Sequence, residues 1–429
     1  MQQDQPTVTY ELTEPTSPKP GFDYDIAIVG GGISGATLAA ALKDSGLKVA
    51  LIEAQPQAVA ASRQQVYALT LLTGQIFEQI GVWERILPKI NQFNQIRLSD
   101  ADHPGIVQFY PSDLNRDHLG YVAEHGPMIT ELQAFLHDCP NVSWICPAEV
   151  VKVDYQRDAV VIETRSLSED NSANLSDAPL HKFRTRLLVA ADGKKSPIRE
   201  AAGISTKGWK YWQSCITTKI KPEKSHHNIA YEKFQYSGPF AILPLPGNRC
   251  NVVWTAPHAE AKALAELDDR QFLAELKKRY GDQMGELELL GNRFVFQVQL
   301  MQSDRYVKHR LALIGDAAHS CHPVGGQGLN MGIRDVGAIA QVLINAYKKG
   351  EDIGSETVLK RYERWRKWEN LTILGFTDFL DRIFSNKWFP LVPLRRLGLW
   401  FLQNVPPIKI FALRLMTGQT GKHPQLAQR

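Results

Sequence analysis

Three glycines, Gly30, Gly32 and Gly35, stand at G-x-G-x-x-G spacing straight after the apolar run DIAIV (Asp25 to Val29), and Glu53 closes the next apolar run, KVALI. Glycines so spaced permit a tight turn and close backbone approach, and the helix they open can then turn its free N–H groups toward a pyrophosphate. A carboxylate at the end of the second strand is placed to accept from ribose hydroxyls. A tight structural turn with nothing bound would also use glycine, but it would not call for strand, helix, strand and acidic residue in these positions. The motif alone fits FAD and NAD equally.

Almost 300 residues later, Ile314 to Asp335 reads IGDAAHSCHPVGGQGLNMGIRD. His319, Cys321 and His322 raise a metal reading, whereas Gly325, Gly326 and Gly328 raise a phosphate or cofactor reading. Zinc takes four well-spaced ligands, and no matching ligand pair lies nearby in sequence, so no metal is expected. His319 then reads first as a structural hydrogen-bonder, with an active-site role as the alternative. A third stretch, LVAADGKKSPIR (Leu188 to Arg199), is an apolar strand running into Asp192-Gly193 and a helix start. Taken alone it is a strand, a turn and a cap.

The elements that must hold these residues follow from hydrophobic periodicity. DIAIV, the Ala/Leu pattern from Ile33 to Leu47, and KVALI form a βαβ unit. Between Val150 and Val189, VVKVDYQRDAVVIETR and KFRTRLLVA read as a two-stranded hairpin around the polar insertion SLSEDNSANLSDAPL. KYWQSCITTKI, FAILPLP and CNVVWTA alternate as antiparallel strands do, interrupted by a helical stretch near Ala259 to Tyr280. Phe240, Leu243 and Pro244 are candidates for a substrate face, with core packing an equal alternative. After LALI (Leu311 to Ile314) the pattern is helical, from Asn330 to Tyr347 and from Ser355 to Phe384.

The 429 residues, 44% of them hydrophobic, suffice for two or three structural units. A net charge of +4 is too small to imply nucleic acid. Five cysteines without C-x-x-C spacing argue against a disulfide framework and fit a reducing compartment. MQQDQPTVTYELTEPTSPKP lacks the features of a secretory signal and reads as a disordered tail, and no stretch is apolar enough for a confident membrane span. From Lys387 to Met416 there are five basic residues (Lys387, Arg395, Arg396, Lys409, Arg414) and no acidic one, mixed with Trp388, Phe389, Trp400, Phe401 and Phe411. Such a segment suits an anionic membrane surface with its basic groups outward, or two helices closing over the second domain.

In this order and at these distances, Gly30/Gly32/Gly35, Asp192-Gly193 and Gly315-Asp316 resemble the motifs of the single-component FAD-dependent aromatic hydroxylases related to para-hydroxybenzoate hydroxylase. ALTLLTGQIFEQIGVWERI, LGYVAEH, ADGKKSPIRE, GDAAHSCHPVGGQGLNMGIRDV, YERWRK and FLDRIFSN narrow the resemblance to the ubiquinone-biosynthesis hydroxylases of that group. It covers most of the chain beyond residue 22. Three places depart from the pattern: Ala190 stands where the family often has glycine, Gln65 where it commonly has arginine, with Arg63 two positions earlier, and Gly126-Pro127-Met128 after LGYVAEH where relatives tend to carry a polar or basic residue.

The resemblance implies an α/β fold: a Rossmann-like, GR2-type FAD-binding domain, an interleaved antiparallel-sheet substrate domain and a C-terminal helical region. The expected divisions are a tail at 1–21, the first part of the FAD domain at 22–205 (with substrate-domain residues near 85–125), the substrate sheet at 206–300, a return to the FAD domain at 301–350 and helices at 351–429. The cofactor-binding set is Gly30, Gly32, Gly35, Glu53, Arg63, Asp192, Gly315, Asp316, Gly325, Gly326, Gly328, Leu329 and Asn330. Asp316 is expected on the ribityl chain, Asp192 near the pyrophosphate, and the loop from Pro323 around the isoalloxazine edge. No side chain stands out as acid or base, and Pro323, through its carbonyl, is the catalytic-site candidate.

The implied reaction consumes NADPH or NADH, as a transient reductant, and O₂, and hydroxylates the ring of a lipophilic prenylated phenol through a flavin C4a-hydroperoxide. A cytoplasmic protein is expected, with peripheral contact at the inner face of a membrane through 387–416 and with a biosynthetic complex as a further partner. Alternatives are an FAD-dependent isoprenoid epoxidase or reductase, and a non-catalytic flavoprotein scaffold in such a complex.

Overall fold

The computed structural model describes residues 12–13, 21–100, 105–167, 179–386, 388 and 390–428. The expected tail therefore lies outside the described residues, apart from Gly21 and the two-residue strand Leu12–Thr13 that pairs with Ala148–Gln156. Most of the polar insertion near 168–178 lies outside them as well.

The first sheet has a parallel centre, in which Val142–Ile145, Val49–Ile52, Tyr24–Val29 and Leu180–Ala190 are successive neighbours. Leu311–Leu313 adds to the end of Leu180–Ala190, again in parallel, so the chain returns to its first sheet after a long excursion. Strands covered on both faces read as continuous apolar runs rather than alternating ones. Ile26, Ala27, Ile28 and all of Val49–Ile52 are accordingly buried. The Ile33–Ala41 helix packs against the helices His125–His137 and Gln327–Lys348.

Two local expectations change. VVKVDYQRDAVVIETR is two strands, Ala148–Gln156 and Val160–Ser166, joined by a short turn at Arg157, so the region is a three-stranded antiparallel extension and not a two-stranded hairpin. The first helix stops at Ala41, earlier than Leu47, and Gly46 at φ +78° turns the chain into the next strand.

The second sheet is built mainly from Thr206–Pro222, Ile229–Phe234, Phe240–Leu245, Arg249–Pro257 and Phe294–Ser303. Gln95–Asp100 joins it in parallel beside Ile229–Phe234, which carries residues from early in the chain into this sheet. Strand alternation divides Phe240–Leu245 between two environments. Phe240 and Ile242 pack with Trp254 and Phe272 beneath the helices His258–Glu266 and Asp269–Tyr280, while Ala241 and Leu243 face a cavity. Of the three proposed substrate-face residues, only Leu243 lines that cavity.

Beyond Ser355, whose side chain caps the next helix, come Glu356–Phe384, Leu391–Asn404 and Pro406–Met416. Arg395 does not face outward as expected of a membrane-facing basic residue. It is buried and forms a two-pronged ion pair with Asp100, at 2.9 and 3.1 Å. Lys409 likewise turns inward to Asp113, at 2.9 Å. Arg414 is exposed, and Lys387 and Phe389 lie outside the described residues.

Candidate cofactor and substrate site

Each glycine of the first motif has a different task. A Cβ on Gly30, at φ +105°, would lie 2.4 Å from the Ala191 carbonyl oxygen, and one on Gly35 would lie 1.9 Å from the Gly30 carbonyl oxygen. Both therefore permit strand and helix to meet. Gly32 has no heavy atom within 4 Å of its would-be Cβ and begins the Ile33–Ala41 helix without any side-chain cap. Its helix end keeps unsatisfied N–H groups facing open space, as an anion site requires. Glu53 accepts from the backbone N–H groups of Gly31 (2.7 Å) and Gln55 (2.8 Å), one on each oxygen, which leaves lone pairs for hydroxyl donors. Arg63 donates to Gln55 Oε1 at 2.6 Å and lines the cavity together with Gln65.

The second motif follows where Leu180–Ala190 ends beside Tyr24–Val29. Asp192 accepts weakly from the Ile198 N–H, at 3.4 Å, through Oδ2. Its Oδ1 is buried with no hydrogen-bond partner among the described residues, and burial pushes the carboxyl up to about 6. A buried orphan oxygen of this kind calls for a donor from a ligand or water. Arg199, which the sequence did not single out, donates to the carbonyls of Ala317 (3.0 Å) and Lys194 (3.1 Å) and so binds the second motif to the third.

In the third motif Asp316 is exposed where it lines the cavity; the walls around it push its carboxyl pKa up, against the opposing pull of His319 and Lys194. Its neighbour Gly315, at φ +56°, donates to Asp335. Burial alone would raise Asp335, but His319 Nε2 at 2.5 Å and Arg366 Nε at 2.8 Å outweigh it and hold the carboxyl at about 2. His319 is thereby taken up in a buried network. His322 packs beside Gln213 and Asp381 and accepts from the Val324 N–H, while burial pushes Cys321 up to about 12. Among the described residues no group of three or more metal-ligating side chains is arranged around a metal position.

A cavity of about 450 Å³ joins these regions. Gly32, Arg63, Asp316, Pro323, Gly325, Gly326, Gly328 and Leu329 all line it, so the two glycine-rich stretches share one groove. Gly325 and Gly326 adopt φ +65° and +61°, conformations that glycine reaches without strain. Gly30, Gly35, Glu53, Asp192, Gly315 and Asn330 stand behind this wall and are not part of its lining. The Asn330 amide is fully occupied within the protein: Oδ1 accepts from Thr70 and Thr73, and Nδ2 donates to the carbonyls of Ala68 and Gly326. That side chain fixes the loop. Tyr67 and His125, 3.0 Å apart, also line the cavity, and burial pushes His125 down to about 4.

A second cavity of about 460 Å³ adjoins the first, sharing Glu232, Val324, Gly325 and Met416 with it. Its walls are largely apolar: Leu98, Phe109 and Phe234 from the second sheet, Ile373, Leu380 and Phe384 from one C-terminal helix, and Leu399, Leu402 and Leu415 from the next two.

An uncapped helix end at a glycine with open space around it, the Asp316 carboxylate and a glycine loop along the same groove suit an extended dinucleotide, and this class of fold and site is that of FAD-dependent hydroxylases. Comparison with known proteins agrees. Residues 23–133 and 148–370 match the FAD binding domain family, and the chain belongs to it. It is 36% identical to the ubiquinone hydroxylase UbiL of Rhodospirillum rubrum, over 94% of this chain and 91% of that one. It is 30% identical to the 3-demethoxyubiquinol 3-hydroxylase of Escherichia coli, over 92% and 98%. The p-nitrophenol 4-monooxygenase PnpA of Pseudomonas putida shares the fold, with a TM-score of 0.77 at 18% identity, covering 92% of this chain and 99% of that one. The protein is an FAD-dependent monooxygenase of the ubiquinone-biosynthesis hydroxylase group, with NAD(P)H as the reductant typical of that family.

Proposed function

We propose that the protein hydroxylates the aromatic ring of a prenylated phenol in quinone biosynthesis, by the oxygen-activating route expected from the sequence. The observation that carries this reading is the apolar second cavity adjoining the one the cofactor motifs line. An isoprenoid tail buried there contributes about 25 cal/mol per Å² of apolar surface removed from water. The names of two relatives, a ubiquinone hydroxylase and a 3-demethoxyubiquinol 3-hydroxylase, support the same substrate class.

FAD, when bound, supplies activated oxygen, with electrons from NAD(P)H and oxygen from O₂. The chain's part is to hold and orient. Gly30 and Gly35 make the turn, the helix end at Gly32 takes the pyrophosphate with Asp192 nearby, Glu53 and Arg63 serve the adenosine half, and Gly315 presents Asp316 to the ribityl chain. Gly325, Gly326, Gly328 and Leu329 border the flavin ring, with Asn330 bracing that loop and the Pro323 carbonyl lining the oxygen side.

Membrane contact fits the same helices. Leu397, Trp400, Phe401, Ile408 and Phe411 are exposed on the two helices that also contribute Leu399, Leu402 and Leu415 to the wall of the second cavity. No helix among the described residues is long and apolar enough to cross a membrane. Surface binding through these side chains would let a lipid substrate be taken from the bilayer, and partner enzymes of a biosynthetic complex could be met at the same surface.

The test is product mass from FAD-loaded protein supplied with NAD(P)H, O₂ and a prenylated phenol. One oxygen added to the ring is expected. Oxygen added to an alkene, or two added hydrogens, would assign an epoxidase or a reductase, and no turnover with any ring would leave a scaffold.

A further inference from the structure

Glu232 is a carboxylate in a strand, Ile229–Phe234, whose sequence IAYEKF gives no hint of chemistry. Of the four residues common to both cavities, it is the one with a polar side chain. It is enclosed by protein and touches solvent only partly, through the cavities it faces. It lines both cavities together with Gly325, which belongs to the loop that borders the cofactor groove. A substrate with its tail in the apolar chamber and its ring at that loop must pass this carboxylate.

We propose that Glu232 meets the phenolic hydroxyl of the ring substrate and takes its proton as the ring is attacked, an inference that rests on the prenylated-phenol reading above. In the step, a C–O bond forms between a ring carbon and the oxygen delivered by the FAD, NAD(P)H and O₂ chemistry of the enzyme class, and the O–O bond breaks. The phenolic O–H bond breaks as well, its proton going to Glu232 and its electron pair to a ring carbonyl. The resulting dienone loses its ring C–H proton, which leaves with the second oxygen of O₂ as water, and the former phenolic oxygen takes its proton back from Glu232 to restore the phenol. Removing the O–H proton raises electron density on the ring when the electrophile needs it, which is the work of a general base matched to neutral pH.

The electrostatics suit the task. Burial pushes Glu232 up to about 7, with the Gly325 N–H opposing and no charged group contributing. The charged groups on the surrounding elements are engaged elsewhere. Asp100 is paired with Arg395, Asp381 lies with His322 and Ser385, Arg97 sits over the Tyr231 ring, and Lys233 donates to the Arg279 carbonyl. Burial also raises Asp192, to about 6, and Asp316 and Asp381; the first two belong to the cofactor motifs, and Asp381 lies with His322 and Ser385.

The experiment uses FAD-loaded protein, wild type and Glu232→Gln, with 2-geranylphenol and geranylbenzene as probes. Glutamine keeps the size and polarity of the side chain, so fold and flavin spectrum are controls. Without reductant, wild type should bind the phenol roughly tenfold tighter at pH 8 than at pH 6, because a charged acceptor strengthens the hydrogen bond. Geranylbenzene, and either probe with the variant, should show no such slope. With NAD(P)H and O₂, the variant should hydroxylate roughly 10²-fold more slowly or worse while still oxidising NAD(P)H to hydrogen peroxide. A variant that keeps the wild-type pH slope and coupling overturns the role of Glu232 and leaves the substrate class standing. Wild type that neither binds nor hydroxylates the phenol overturns both.

Discussion

Replacing Gly32 with valine separates cofactor binding from folding. The would-be Cβ of Gly32 has no heavy atom within 4 Å, and its φ of −66° with ψ of −179° is open to any residue. The cofactor-free protein should lose only about 1 kcal/mol, the penalty for an apolar side chain at a helix N-cap. The valine methyl groups would occupy the space into which the helix N–H groups point. Losing two charge-assisted hydrogen bonds at about 1.5–3 kcal/mol each weakens FAD binding by more than about 10²-fold. Gly35→Ala is the opposite control. Its Cβ would sit 1.9 Å from the Gly30 carbonyl oxygen, so helix and strand must part, at about 3 kcal/mol. Urea unfolding of the apoprotein and FAD titration by flavin fluorescence measure the two quantities independently. Wild-type FAD affinity in Gly32→Val, or an apoprotein as unstable as Gly35→Ala, would refute the assignment of that helix end to the pyrophosphate.

Three further outcomes follow from buried charge and exposed rings. Asp192 has its folded pKa raised to about 6, so the folded apoprotein binds the extra proton, and the associated stability is complete below about pH 4 and lost as pH rises through 6. Asp192→Asn should therefore stabilise the cofactor-free protein by about 1–3 kcal/mol at pH 7.5, with the gain vanishing near pH 4, as read by denaturant melts at both pH values. Asp100→Ala leaves the buried Arg395 guanidinium with carbonyl partners alone, and should lower unfolding free energy by about 3–5 kcal/mol, with Asp100→Leu/Arg395→Met recovering most of it. Trp400→Ser with Phe411→Ser removes two exposed rings and should change stability by under about 1 kcal/mol while weakening flotation with anionic vesicles roughly tenfold or more. Unchanged flotation would end the membrane reading.

The first βαβ unit was legible because DIAIV and KVALI are buried on both faces, so the apolar run, the glycine turn and the acid at its end all coincide in sequence. The groove shared by Gly32 and Asp316 was legible only through the order of three motifs, since nothing local links residues almost 300 apart. Phe240 and Pro244 could be read equally as substrate face or core, because an apolar strand carries no mark of which face meets a helix and which meets a cavity. Arg395 was read as a surface charge because its partner, Asp100, lies 295 positions away. Glu232 was missed for the converse reason: a lone acid between Tyr231 and Lys233 looks like a solvated edge, and only the surrounding fold removes its water.

The second chamber draws most of its walls from helices after residue 355, whereas the dinucleotide groove is lined mainly by residues before 330. On the proposed reading, the bore for a tail and the scaffold for the cofactor are therefore inherited through different stretches of chain. Substitutions along Ile373, Leu380, Leu399 or Leu402 could lengthen, narrow or plug the passage while the flavin end stays as it is. Descendants of one such gene could thus serve quinones of different tail length by altering the lining of these helices alone.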